Sequence, residues 1–179
     1  MYSEPHRRYH SLAHIAECLT EFDSARELAR EPLAVELAIW FHDAVYDSRA
    51  GNNEERSVEL AQAWLGKAHS GPALIDAVGR LILATKKHDA ALHVDAALLV
   101  DVDLSILGQS PDRFWEYEDQ IREEYSWVPQ NVFTVKRAEI LEGFLARARI
   151  YNSDVFFYRL ETQARTNLQA SIQRLRNPF

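Results

Sequence analysis

The chain has 179 residues, 47% hydrophobic and 26% charged, a composition typical of one soluble globular domain with a substantial core. Its formal net charge of −7 argues against a protein that coats nucleic acid with a basic face. The single cysteine, Cys18, excludes a disulfide framework and a cysteine-based zinc cluster, and no apolar run has the length that a membrane span needs. We therefore expect one cytoplasmic domain over residues 1–179.

Helical periodicity dominates the sequence, and the alternation typical of β-strands is missing. Pro32 suits the first turn of a helix, Asn53 suits an N-terminal cap, and Gly108 suits a C-terminal stop. In chain order, the pattern predicts helices over residues 10–22, 24–29, 32 to the loop at 47–53, 54–67, 73–87, 94–107, 111–125, 132–148 and 154–175. The predicted fold class is an all-α bundle of about eight helices. The last helix has apolar residues that serve either the core or an interface, which leaves a homodimer open.

The pair His42–Asp43 lies in one of the most apolar stretches of the chain, in which Glu36 is the only charged residue between Pro32 and Phe41. A carboxylate on a largely buried helix is costly unless a cation or hydrogen bonds compensate it. Both side chains offer lone pairs, so a divalent metal ion would compensate them well. A hydrogen-bonded core pair is the alternative explanation for the dipeptide alone.

Two further segments carry possible ligands. His10 and His14 are four residues apart, which places them on one face of the predicted helix. Either both bind a metal, or one binds it while the other faces a substrate; two exposed or capping histidines are the plain alternative. Asp101 and Asp103 interrupt another apolar segment, and two residues apart on a helix they point in different directions. We expect one of these carboxylates to coordinate, while the other caps, bonds a neighbouring group or meets solvent.

The order of these pieces resembles that of the HD-domain superfamily of metal-dependent phosphohydrolases. The local text is similar to the cyclic nucleotide phosphodiesterase branch, whose YHN-x-x-H, HD and ADLS correspond to YHSLAH, FHD and VDLS here. The run LATKKH at 83–88 also resembles a helix segment of those enzymes, whereas the length and the part after Pro129 resemble small bacterial HD phosphohydrolases. The motifs cover residues 9–108. The resemblance implies a single HD-type phosphohydrolase domain over residues 1–179.

The resemblance also implies roles for individual residues. It implies four metal ligands, namely His14, His42, Asp43 and Asp103. Asp103, rather than Asp101, matches the final aspartate of the family because a Leu-Ser pair follows it. His10 matches the histidine that serves as general acid on the leaving oxygen. Asp43 would bridge a second ion or orient the nucleophile.

Two imidazoles and two carboxylates suit an octahedral Mn²⁺, Fe²⁺ or Co²⁺ with open positions for water and a phosphate oxygen. Mg²⁺ and Zn²⁺ are further candidates, and the number of ions, one or two, is open. Such an ion lowers the pKa of bound water and polarises the phosphoryl group. The expected reaction is attack of metal-bound water on a phosphoester or phosphoanhydride bond in a small phosphorylated or nucleotide-like substrate.

Three residues at the end of a predicted helix are candidates for binding the substrate phosphate: His88, Lys86 and Lys87. A solvated helix terminus is the alternative for all three. Arg7 and Arg8 are expected to be solvated. Tyr46 departs from the family pattern, since it stands where the phosphodiesterases have the second histidine of HD-x-x-H. This substitution puts the second-metal environment of those enzymes in question.

Two other functions stay open. A di-iron oxygenase on the HD fold would need further histidine ligands, for which His88 is the best candidate. A regulatory binding protein with a degenerate HD site would keep the fold without catalysis. Buried carboxylates argue against this second alternative, because a scaffold has no need of them.

Overall fold

The computed structural model describes residues 1–88 and 93–177. Over these ranges it has eight α-helices and no β-strand, so the predicted all-α bundle of about eight helices is confirmed. The helices are α1 (Leu12–Ala25), α2 (Pro32–Phe41), α3 (Asn53–Lys67), α4 (Pro72–Thr85), α5 (Val94–Asp103), α6 (Pro111–Glu124), α7 (Gln130–Leu145) and α8 (Asp154–Arg176). Two short 3₁₀ helices span Arg26–Leu28 and Leu104–Gly108. None of the described helices combines the length and the apolar character that crossing a membrane requires.

The start of α1 differs from the predicted one in a way that matters for the site. The helix begins at Leu12, because Ser11 takes an extended N-cap conformation and the carbonyl of His10 accepts a hydrogen bond from Arg7. The prediction that His10 lies on this helix is therefore wrong. The predicted helix over 94–107 is α-helical as far as Asp103, after which the backbone is 3₁₀.

The chain forms two compact units, Met1–Asp103 and Leu104–Phe179, and the single domain over residues 1–179 stays a prediction. In the first unit α2 is the central helix, because it contacts α1, α3, α4 and α5. Its Val35 and Ile39 are completely buried. A helix with neighbours on several sides has little surface left for polar residues, which explains the long apolar sequence of α2.

Helix α5 is buried along most of its length, and Asp95 in its first turn connects it to the start of α2. The Asp95 carboxylate accepts hydrogen bonds from the backbone N–H groups of Arg30 (2.7 Å) and Glu31 (3.0 Å), just before α2 begins. These donors would otherwise be unpaired at a helix N-terminus, so the buried carboxylate and the helix end satisfy each other. The contact fixes how α5 lies along α2.

The second unit contains the 3₁₀ helix Leu104–Gly108 and α6 to α8. Its long helix α8 packs against α7 and against the 3₁₀ helix. The side-chain amide of Asn167 on α8 donates to the carbonyls of Leu107 and Gln109, both at 2.9 Å. These bonds satisfy carbonyls that a short 3₁₀ helix leaves unpaired at its end.

Gly108 lies where α8 packs closely on this 3₁₀ helix. A Cβ atom added at Gly108 would lie 2.6 Å from the Cβ and 2.9 Å from the carbonyl oxygen of Leu160. We therefore expect Gly108→Ala to lower the free energy of unfolding by about 1–3 kcal/mol, the usual cost of overpacking. Urea unfolding monitored by circular dichroism measures it.

The matched control is Gly143→Ala on α7, where nothing lies within 4 Å of the added methyl group. Because alanine is the better helix former, this variant should be as stable as wild type or more stable, by up to about 1 kcal/mol. Equal unfolding midpoints for Gly108→Ala and wild type would contradict the close packing of α8.

Candidate metal centre

Four of the predicted site residues converge in the first unit, at the ends of its helices. His14 lies near the start of α1, His42 is the C-cap of α2, Asp43 follows it, and Asp103 is the last residue of α5. Asp101 is buried further back on α5, so Asp103 is the carboxylate that joins the cluster. Of the two aspartates, Asp103 is therefore the one that lies at the cluster, and its role as a ligand stays a prediction.

The donor atoms of the cluster lie close to one another. The Nε2 atoms of His14 and His42 are 3.3 Å apart, and Asp103 Oδ1 is 3.3 Å from the first and 3.5 Å from the second. Asp43 Oδ2 is 3.1 Å from His42 Nε2 and 3.7 Å from His14 Nε2. An oxygen of each aspartate therefore lies within 3.7 Å of both imidazole nitrogens.

The separations between the imidazole nitrogens and the aspartate oxygens, 3.1–3.7 Å, are close to those between two ligands of one metal ion. Ligand atoms about 2.1 Å from a common ion and about 90–110° apart are roughly 3.0–3.4 Å from one another. The imidazoles are buried, with side chains only 2% exposed, whereas the carboxylates of Asp43 and Asp103 are 17% and 14% exposed. The cluster thus has a closed side made by imidazoles and a side that reaches solvent, as a site that admits a substrate requires.

The ring of His42 is oriented by the end of its own helix. Its Nδ1–H donates to the carbonyl of Ile39 at 2.9 Å, a group left without a backbone partner at the helix C-terminus. That bond fixes the tautomer, so the lone pair of the neutral ring is on Nε2, which faces the cluster. One hydrogen bond therefore both ends α2 and presents a ligand atom.

The charges of the cluster favour a cation at its centre. Burial opposes the charged form of His42, but the adjacent Asp43 and Asp103 outweigh it and raise the pKa of His42 well above its usual range. Burial likewise opposes ionised Asp43, yet His42 and the neighbouring His10 lower the pKa of its carboxyl below the usual range. Both carboxylates are therefore ionised at neutral pH, and positive charge between them is stabilised, whether a proton or a metal ion supplies it.

Cys18 lies one turn after His14 and is close to the cluster, but its geometry does not suit a ligand. Its sulfur is 3.7 Å from both Nδ1 and Nε2 of His14. Because it is equally far from the two nitrogens, it lies off the lone-pair direction of either one. Burial, reinforced by Asp103 and Asp43, raises the pKa of the Cys18 thiol well above its usual value.

His88 also reaches the cluster. Its Nε2 is 3.1 Å from Oδ2 of Asp103, the oxygen that does not face His14 and His42. The backbone of His88 is left-handed (φ 47°), a conformation that non-glycine residues rarely adopt and that is over-represented at functional sites. Of the three predicted substrate-side residues, His88 is the one brought to the cluster.

Lys86 and Lys87 have different surroundings. The ammonium of Lys86 contacts the carboxylate of Glu55, lies 3.9 Å from that of Glu54, and donates to the carbonyl of Gly51 at 3.1 Å. It thereby connects the end of α4 to the start of α3. Lys87 is exposed beside it. A role for either lysine in binding phosphate stays a prediction.

His10 lies beside the cluster, on the turn before α1. Its ring stacks on that of Tyr46 with a centroid separation of 4.1 Å, and its centroid is 6.1 Å from that of His14. The ring is partly exposed. The ring of Tyr46 is therefore the surface against which the His10 ring packs.

Arg7 lies in the interior, so the expectation that it is solvated is wrong. Its guanidinium contacts Glu4 and the backbone of both His10 and Asp43. The surrounding sequence MYSEPHRRYH is polar, as in a solvated segment, and gives no local sign of burial. The burial of Arg7 could have been predicted only from the knowledge that this segment packs against the end of α2.

The chain matches no family model, and comparisons with curated proteins and with solved structures find no significant match. The positions and chemistry of the residues described above are therefore the basis of what we propose below.

The cluster predicts measurable binding of a divalent ion. We expect wild type to bind about one Mn²⁺ per chain and His14→Ala to bind it more than about 100-fold more weakly, because even residues that only hydrogen-bond to a metal ligand typically contribute 10- to 100-fold. Electron paramagnetic resonance of free Mn²⁺ during titration measures the dissociation constant.

The matched control is His69→Asn, at an exposed histidine whose left-handed backbone (φ 55°) suits asparagine. It should bind Mn²⁺ as wild type does. Equal affinities of His14→Ala and wild type would show that the ion binds elsewhere.

Proposed function

We propose that this chain is a metal-dependent phosphohydrolase of the HD type, which hydrolyses a phosphoester or phosphoanhydride bond in a small nucleotide-like substrate. The observation that supports this most is the convergence of two buried imidazoles with the carboxylates of Asp43 and Asp103, which are partly exposed to solvent. The resemblance in the sequence motifs supports the same reaction class. The direct support for the proposal is the geometry and chemistry of these imidazoles and carboxylates.

In this proposal four residues hold the ion: His14, His42, Asp43 and Asp103. A divalent ion there polarises a phosphoryl oxygen and lowers the pKa of a bound water molecule. The chain supplies the rest. Because the pKa of the Asp43 carboxyl is below its usual range, it stays ionised at neutral pH and can accept a hydrogen bond from the attacking water.

His10 acts as the general acid. Hydrolysis forms a bond between phosphorus and the water oxygen, breaks the bond to the leaving oxygen, and requires a proton on that oxygen. A protonated His10 supplies this proton, so that an alcohol leaves instead of an alkoxide. Stacking on Tyr46 holds the ring in one orientation beside the ligand His14, as proton transfer requires.

The first test compares wild type with Asp43→Ala on a panel of nucleotides and phosphate esters with Mn²⁺. We expect phosphate or nucleotide release by wild type and a loss of at least about 100-fold in kcat/KM for Asp43→Ala, since this variant removes a ligand. Asp76→Ala, at an exposed aspartate on α4, should retain activity. No turnover by metal-loaded wild type on any member of the panel would contradict the proposal.

The role of His10 predicts a dependence on the leaving group. His10→Gln should lower kcat by about 10²- to 10⁴-fold for an alkyl or nucleoside ester, whose leaving oxygen needs a proton. For a p-nitrophenyl ester the loss should be small, because nitrophenolate leaves without protonation. Equal losses for both esters would assign His10 a role other than that of the acid.

A second candidate function, a di-iron oxygenase, is favoured by one observation. Asp103 directs Oδ1 to His14 and His42 but Oδ2 to His88, which is the arrangement of a carboxylate that could bridge two ions. A mixed-valence iron signal together with substrate-dependent oxygen uptake would favour this function. Phosphate release with Mn²⁺ and no oxygen uptake would favour hydrolysis.

A further inference from the structure

Arg7 is a buried cation that the proposed chemistry does not use. Its side chain is 1% exposed, although it comes from a polar segment near the start of the chain. Burial of a guanidinium is costly unless its N–H groups are paired. The partners that Arg7 has in the folded chain therefore indicate what the residue does.

Three of these partners are backbone carbonyls from two separate segments. Nη1 donates to the carbonyl of His10 at 3.0 Å and to that of Asp43 at 2.7 Å, and Nη2 donates to that of Ala44 at 3.1 Å. Nε donates to the carboxylate of Glu4 at 2.8 Å. One planar group thus bonds the residue proposed as acid and a residue proposed as ligand.

The location of this group suits a cation. Asp43 and Ala44 follow the C-terminal end of α2, where the helix dipole is negative and carbonyls lack helical partners. The guanidinium carbon also lies 5.5 Å from the ring centroid of Tyr46, the ring on which His10 stacks. Arg7 therefore bonds the backbone of His10 and also contacts the Tyr46 ring, on which the His10 ring stacks.

We propose that Arg7 is a positioning residue. It fixes the backbone of His10 relative to that of Asp43 and so keeps the proposed acid and the proposed metal ligand in a constant relative position. This inference rests on the proposed function for the role of His10, but only on the metal centre for the role of Asp43. The fork of N–H donors is essential, because an ammonium group has no planar arrangement that meets three carbonyls and a carboxylate at once.

The test measures Mn²⁺ affinity, kcat and KM for wild type, Arg7→Ala and Arg7→Lys, with far-UV circular dichroism to establish folding. For Arg7→Ala we expect Mn²⁺ affinity and kcat each to fall about 10- to 100-fold, as for outer-shell partners of metal ligands, while KM changes less than about threefold. Arg7→Lys should recover only part of each loss. Added methylguanidinium should restore Mn²⁺ affinity to Arg7→Ala, whereas methylammonium should not.

Two controls separate this role from its alternatives. Arg8→Ala changes the adjacent, exposed arginine and should leave affinity and kcat as in wild type. Glu4→Gln removes the ion pair but keeps the three carbonyl bonds, so it too should resemble wild type. A large loss in Glu4→Gln would instead make the Glu4 ion pair the essential contact and overturn the proposal.

The remaining outcomes each have one meaning. If folded Arg7→Ala binds Mn²⁺ and turns over like Arg8→Ala, Arg7 has no positioning role. If Arg7→Ala does not fold, wild-type affinity and kcat in folded Arg7→Lys overturn the proposal, and a reduced affinity supports it. If wild type binds Mn²⁺ but hydrolyses nothing, the proposed function fails. The Mn²⁺ affinities of the Arg7 variants then still show whether Arg7 positions the ligand Asp43. Absence of Mn²⁺ binding by wild type overturns both.

Discussion

The first unit is organised around one electrostatic constraint: two carboxylates and two imidazoles meet where α2 and α5 end and α1 begins. Asp43 and Asp103 are ionised beside buried rings, and their charge is tolerated only because cationic or hydrogen-bonding groups surround it. The ends of α2 and α5 must therefore coincide near the start of α1. The hydrogen bonds of Asp95 at the other end of α2 help to set this alignment, because they fix where α5 runs along its neighbour.

The sequence predicts the helices well because their signals are local. Pro32, Pro72 and Pro111 each lie at the first position of a helix, and the apolar runs of α2 and α5 correspond to helices that are buried on several sides. These helix signals need no knowledge of distant contacts. Which histidines and aspartates converge came instead from the resemblance of their motifs to the HD-domain superfamily, because spacing alone left Asp101 and Asp103 as alternatives.

Features that depend on distant contacts were not predictable in the same way. The four-residue spacing of His10 and His14 suggested one helical face, but the His10 carbonyl bonds Arg7 instead of continuing a helix. Arg7 is buried because the segment before α1 packs on the end of α2, a contact between residues more than 30 positions apart. Lys86 was a candidate for phosphate from its place at a helix end, yet Glu55 and Gly51, distant in sequence, are its partners. The local sequence does not predict such long-range contacts.

In the proposed metal site, the two oxygens of Asp103 have different surroundings. Oδ1 faces the two buried imidazoles of His14 and His42. Oδ2 faces His88, whose ring can donate a hydrogen bond to it as outer-shell groups do to metal-binding carboxylates. Where the phosphodiesterases that the motifs resemble have a second histidine, this chain has Tyr46, and its ring is stacked against His10. A phenol is a poor ligand for a divalent ion unless it loses its proton, which has an ordinary pKa near 10. For the proposed metal site, the surroundings of Asp103 therefore favour one ion with an oriented carboxylate over two bridged ions, and the ring of Tyr46 supports His10, the proposed acid.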